Sequence, residues 1–210
     1  KMTVENVYIN GKLLNPTDIN LEDKAGKLII DTMVLTNDSF INDDQKVGDP
    51  TELALVELGR KYNIIEQDLR EKYPRISELP FDSVRKFMST LQIIDNEKLM
   101  LTKGATDELL KKCSLILVDG EVRDITDEDK RQILEQNNNF AEEGLRVLGY
   151  AFKKVANDDL TFDDENNLTF VGLTSMIDPP REESKDAVAK AIRAGIKPIM
   201  ITGDHAVTAR

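Results

Sequence analysis

From Thr3 to Leu14 apolar and polar residues alternate around Asn10-Gly11. That dipeptide tolerates the positive φ angles of a two-residue turn, so the pattern predicts a β-hairpin. The dense apolar run from Gly26 to Asp38 has helical spacing at Leu28, Ile29, Met33 and Leu35 and predicts a helix, with a buried strand as the alternative. Asp49 suits an N-cap, Pro50 the first helical position, and Glu52 falls three after the cap as in a capping box, which predicts a helix over about Pro50 to Tyr62. A short helix over 66–73 should stop before Pro74, and extended structure resumes over 75–81 with Pro80 suited to an edge strand. Residues 85–94 and 98–104 flank Asp95-Asn96-Glu97 and read as a second hairpin. Lys103 ends its outgoing strand, the chain turns at Gly104, and a helix runs behind Thr106 to Cys113.

Residues 114–125 repeat the hairpin signal at Asp119-Gly120, and Thr126 with Asp129 caps a long polar helix closed by Gly144. Extended segments follow over 145–155 and 168–177, separated by the acidic, turn-rich stretch 157–167. Strands and helices mix without strict alternation, which predicts an α+β fold, a mainly antiparallel sheet with flanking helices. The character changes at Asp178-Pro179-Pro180-Arg181. Beyond it an amphipathic helix closed by Gly195 and a short buried strand, Ile196 to Thr202, form part of a parallel α/β unit. Two domains are expected, 1–177 and 178–210.

The 210 residues, 40% hydrophobic and 32% charged, suit a folded chain rather than disorder. A net charge of -11 and a pI near 4.7 argue against nucleic acid, which needs a basic face. No run approaches the roughly 20 apolar residues that cross a bilayer, and the opening residues lack a signal-peptide layout, so the segment is expected neither to insert in a membrane nor to be exported. One cysteine excludes an internal disulfide, and with one histidine no Cys/His zinc set can form. Cys113 reads as a small buried hydrophobe.

Candidate chemistry is scattered. Lys103 beside Gly104 fits a desolvated cation in a ligand pocket, or a strand end in water. Phe81, close to Arg85 and Lys86, offers a ring for a base beside cations for phosphate, or simply a core side chain. Glu52 can accept from an adenine amino group or serve its own helix cap. Arg146, entering an apolar strand, fits phosphate or ribose contact, or an ion pair. Asp204, in Thr202-Gly203-Asp204, stands where parallel sheets place catalytic or magnesium-associated carboxylates. His205 has no nucleophile motif beside it and reads as incidental.

Taken in order, "GDPTELAL", "FDSVRKFMS", "KGATDELL", "GLRVLGYAFK", "DPPREE" and "IMITGDHAVTA" resemble the cytosolic headpiece of type II P-type cation-transporting ATPases, most of all bacterial calcium pumps. "KMTV" is similar to the residues that follow that family's phosphorylated-aspartate motif, DKTGT, so the resemblance spans the chain. It implies a nucleotide-binding domain followed by a hinge and a partial, haloacid-dehalogenase-like phosphorylation domain. By resemblance, Glu52 contacts adenine, Phe81 stacks on it, Lys86 lies near the phosphates, Lys103 with Gly104 floors the adenine pocket, and Arg146 bridges ribose and phosphate. Thr202, Gly203 and Asp204 match the segment that supports magnesium and the γ-phosphate, and Asp178 to Arg181 match the hinge. Some animal calcium pumps carry an arginine where this chain has Ser83.

The resemblance implies ATP as ligand, Mg2+ in the intact enzyme, and the remaining pump domains as partners, on the cytosolic face of a bacterial plasma membrane. The acceptor aspartate is absent from these residues, so ATP binding without sustained turnover is expected. Two other readings stay open: a haloacid-dehalogenase-type phosphatase built around Asp204, and a ligand-free module whose acidic 157–167 stretch meets a basic partner.

Overall fold

The computed structural model describes residues 1–43, 45–179 and 182–199. In chain order the elements are β1 (Thr3–Ile9), β2 (Lys12–Leu14), α1 (Lys24–Leu35), β3 (Phe40–Asn42), β4 (Gln45–Val47), α2 (Pro50–Lys61) and α3 (Glu66–Lys72). There follow β5 (Ser77–Asp82), β6 (Phe87–Ile94), β7 (Glu97–Gly104), α4 (Thr106–Lys111), β8 (Cys113–Val118) and β9 (Glu121–Asp124). The chain continues with α5 (Asp127–Glu142), β10 (Arg146–Lys154), a 3-10 turn (Phe162–Asp164), β11 (Leu168–Ile177) and α6 (Glu182–Arg193).

Nine strands form one sheet along β2-β1-β11-β10-β7-β6-β5, with β8 and β9 attached beside β11. All pairings are antiparallel except β8 with β11. The ten residues of β11 serve three partners, β10 along one edge and, along the other, β1 over the later half and β8 at Leu168–Phe170, and nine of the ten are buried. The expected α+β architecture is therefore present. β5 lies at the end of the strand order, as Pro80 requires. Asn10 and Gly11 take φ of 54° and 67°, the left-handed pair that closes a tight hairpin.

Side chains alternate across a strand, so β7 divides its residues between two layers. Leu99 and Leu101 join α1 and α2 in one core, while Met100 packs with Leu109, Ile133 and Phe170 in the other, against α4 and α5. The result is a sheet with helices on both faces. Cys113 is buried in the second core, and burial pushes its thiol up to about 12.

Four local expectations change. Gly104 does not turn the chain: it is the last residue of β7 and pairs with Phe87 and Gly149. The cap before α4 is Ala105, which offers no side-chain oxygen, and Thr106 is already helical. Cys113 opens a strand rather than ending a helix, because α4 stops at Lys111, two residues early, and the Lys112 carbonyl accepts from Leu168 N of β11. Residues 196–199 carry no strand, and Ile196 and Ile199 are exposed, since no described strand offers them a pairing edge. The rest of that expected strand lies outside the described residues. Among the described residues no helix is long and apolar enough to cross a membrane.

The Thr126 cap forms as its sequence predicts. Its hydroxyl accepts from Asp129 N at 3.1 Å and the Asp129 carboxylate accepts from Thr126 N at 2.8 Å. The Arg123 guanidinium, hydrogen-bonded to that carboxylate, holds Asp129 well below the usual range. Thr126→Ala is expected to cost about 1 kcal/mol in urea denaturation. Because the folded carboxyl is the stronger acid, the Asp129 contribution is present at neutral pH and fades only as pH falls below about 4, which denaturation at pH 7 and pH 3 will read.

Candidate functional site

Lys103 stands on the penultimate position of β7, in phase with Leu99 and Leu101, so its side chain enters the layer of α1 and α2. It is only 6% exposed, which removes the reading of a solvated strand end. Its Nζ donates to Glu52 Oε1 at 3.0 Å. Burial pushes the Lys103 ammonium down, and the charge and hydrogen bond of Glu52, with Asp38 and Asp49 beyond, act against that shift.

Glu52 reaches Lys103 because its own helix does not need it. The Asp49 carboxylate caps α2 through Thr51 N at 2.8 Å, one residue earlier than a capping box. Glu52 Oε2 instead accepts from Asp38 N at 3.2 Å and from Ser39 Oγ at 3.0 Å. The loop supplying those donors is itself clamped. Arg70 donates to the carbonyls of Val34 and Ser39, and Arg75 to those of Leu35 and Asn37. Asn37 ties the loop to α2 by donating to Glu52 O at 2.9 Å. No spacing rule connects residues 38 and 39 to position 52, so the sequence reading missed them.

Gly104 brings a second strand end to the same place. A Cβ there would lie 2.2 Å from Phe87 Cβ and 2.4 Å from the Lys86 carbonyl oxygen, so only glycine admits this approach. Lys86 has φ of 65°, and its carbonyl accepts from Ala105 N at 3.0 Å. The side chain of Lys86 is exposed. Asp82 shapes the turn before it, accepting from Val84 N and Arg85 N at 2.9 Å each, and these donors hold its carboxyl low.

Phe81 is the penultimate residue of β5, within the register shift between Leu79 and Asp82, and is 62% exposed. A phenylalanine this open is not the core side chain of the alternative reading. Arg146, exposed at the start of β10, donates to Thr51 Oγ1 at 2.9 Å, next to Glu52 on α2. The links 51–146, 52–103 and 86–105, with Phe87 paired to Gly104, therefore join five of the predicted residues at one end of the sheet. Phe81 sits on the neighbouring edge strand. Arg85 is not part of the cation set: it turns away to Glu165. Thr202, Gly203, Asp204, His205, Pro180 and Arg181 lie outside the described residues.

A cavity of about 150 Å3 lies elsewhere, between the β1–β2 hairpin, β8 and α5. None of the predicted residues lines it, and the charges that do, Arg123 and Asp129, satisfy each other.

The described site has the inventory of a nucleotide pocket: an open ring, a buried ammonium with a fixed carboxylate, and further cations at the rim. Residues 25–183 match the model of the family described as P-type ATPase, cytoplasmic domain N. The chain is similar to Calcium-transporting ATPase 1 of Lactococcus lactis, 47% identical over 197 residues, covering 92% of this chain and 22% of the relative. It is also similar to Calcium-transporting ATPase 1 of Bacillus cereus, 43% identical over 210 residues, covering 100% of this chain and 24% of the relative. Sodium/potassium-transporting ATPase subunit alpha-4 of Homo sapiens is 35% identical over 176 residues, covering 78% of this chain and 17% of the relative. The chain thus spans about a quarter of the length of the bacterial calcium-transporting relatives or less.

The Lys103–Glu52 pair is unequal. Removing Glu52 strands a buried ammonium, whereas removing Lys103 leaves a carboxylate with two remaining donors and partial access to water. Glu52→Ala is expected to cost about 3 kcal/mol and Lys103→Met under about 1 kcal/mol in urea denaturation at pH 7. Equal costs would refute the assignment of the desolvation penalty to the lysine.

Proposed function

Since the chain belongs to the family of P-type ATPase cytoplasmic N domains, we propose that it is the ATP-binding portion of a cation pump that presents the γ-phosphate to an aspartate outside these residues. The transported ion is assigned as calcium, following the names of the bacterial relatives. The boundary between this domain and the hinge is assigned at 177/178, where β11 ends.

One observation supports the reading above the others: Lys103 is buried and paired to a carboxylate that is itself pinned, while the exposed ring of Phe81 lies on β5, two strands along the same sheet. In this proposal the adenine stacks on Phe81, its amino group donates to Glu52, and Lys103 with Gly104 forms the floor. Lys86 and Arg146 meet the triphosphate and ribose from the rim. ATP enters with its Mg2+, which neutralises phosphate charge in the intact enzyme, with Thr202, Gly203 and Asp204 assigned to support it. A local cluster of cations is what a polyanion needs on a protein carrying a net charge of -11.

Phosphoryl transfer then depends on positioning more than on covalent chemistry by this domain. The ring and the cations fix the two ends of the nucleotide, so the γ-phosphate is delivered along one direction. The partners of this chain are assigned as the phosphorylation, actuator and membrane domains of the same pump, on the cytosolic face of a bacterial plasma membrane. A free phosphatase built around Asp204 predicts hydrolysis of a phosphate monoester, and an acidic interaction module predicts no response to nucleotide.

Titration of the chain with ATP by calorimetry or NMR is expected to show saturable binding, with little turnover. Phe81→Ala should weaken it about 5- to 150-fold, the range for losing one base–aromatic stack. Lys103→Ala should weaken it about tenfold or more. A folded chain that binds no ATP, or one whose affinity ignores Phe81, overturns the proposal.

A further inference from the structure

Arg85 follows Phe81 by four residues in the turn that joins β5 to β6, yet its guanidinium lies on the other side of the sheet from Lys103. Thr102, in phase with Met100 and opposite in phase to Lys103, exchanges a hydrogen bond with Ser89 at 2.8 Å. Ser89 Oγ donates to Glu165 Oε1 at 2.8 Å. Glu165 is 1% exposed, and its Oε2 lies 2.7 Å from Arg85 Nε, an ionic contact because the N–H does not point along it. Arg85 Nη2 reaches Glu165 Oε1 at 3.4 Å.

The same guanidinium grips the turn itself. Its Nη2 donates to the carbonyls of Pro80 at 2.9 Å and Phe87 at 3.0 Å, the residues just before Phe81 and just after Lys86. Its plane rests between the rings of Phe87 and Phe162, 5.5 Å and 5.0 Å from their centroids. Arg85 therefore closes both ends of the six-residue span 81–86. Glu165 fixes Arg85 from the acidic stretch 157–167, the segment that the sequence reading assigned to a basic partner outside the chain.

We propose that Arg85 and Glu165 are positioning residues for the nucleotide pocket, their buried pair bracing from the rear face of the sheet the turn that presents Phe81 and Lys86 at the front. This rests on the reading of Phe81 as the stacking residue. Without the brace the strand ends remain paired, since Ser77, Glu78 and Leu79 keep their partners in β6. Asp82 still holds the tip of the turn, and Lys86 O still meets Ala105 N. What is lost is the tie between the Pro80 and Phe87 carbonyls, so the turn is held less firmly before nucleotide binds.

The test is a mutant cycle on the full chain, with ATP as probe and circular dichroism to establish folding. Glu165→Gln keeps the shape and a partner for Ser89 but removes the charge that fixes Arg85. It is expected to weaken ATP binding about tenfold in the parent chain and less than about twofold in a Phe81→Ala background. Equal weakening in both backgrounds would mark a general structural defect, and no weakening in the parent would remove the brace altogether; either overturns the inference while leaving Phe81 in place. If Phe81→Ala itself does not weaken binding, the nucleotide reading falls and the inference with it. Should Glu165→Gln fail to fold, the paired replacement Arg85→Met with Glu165→Met, which exchanges a buried ion pair for apolar contacts, is judged by the same two comparisons.

Discussion

An ammonium carried into a protein core needs a counter-charge, and the meeting of Lys103 with Glu52 is the interaction from which the site end of this molecule is organised. The lysine comes from the sheet and the glutamate from the first turn of a helix laid across it. Their contact ties the first turn of α2 to the end of β7. The fixed helix in turn sets Thr51 beside Arg146, and the loop at 38–39 closes over the remaining carboxylate oxygen. One buried charge thus coordinates a strand, a helix, a loop and the start of β10, through contacts that join residues up to 95 apart in sequence.

A second theme is how the irregular segments are held. Strands satisfy their carbonyls in ladders, but loops that leave the sheet cannot. Here arginine replaces the ladder. Arg70 and Arg75 take carbonyls from the end of α1 and the segment after it, Arg60 takes that of Ile41 while forking onto the buried Glu66, and Arg85 takes those of Pro80 and Phe87. The planar fork reaches two groups at once with donors held in a fixed geometry. Loops around the candidate pocket are consequently tied to the frame by side chains from distant elements.

Much of this was legible from local pattern. Hairpins at Asn10-Gly11 and Asp119-Gly120, the helix from Pro50 and the capping box at Thr126 follow from turn and cap chemistry that acts over four or five residues. The exceptions share a cause. Gly104 carries a turn signal in sequence but is a glycine for the sake of a neighbouring strand, and Glu52 has capping spacing but a stronger partner 51 residues away. Arg85 and Lys86 look equivalent side by side, yet one is drawn across the sheet by Glu165 and the other is left in water. Charge pairing over long sequence separation is invisible to spacing rules, and it is what decides which of two adjacent cations is drawn into the fold and which is left exposed. The chain's family likeness supplied the functional grouping that no single motif carried.

Cys113 has a practical corollary. Its thiol is sealed in the second core and titrates near 12, so at neutral pH it presents almost no thiolate to a reagent. A cysteine introduced on the surface would titrate near the ordinary value of about 8.5 and present far more thiolate to the reagent. The native molecule is therefore already a silent background for site-selective labelling, and a reporter dye or spin label can be placed on the 81–86 turn without first removing the chain's own sulfhydryl.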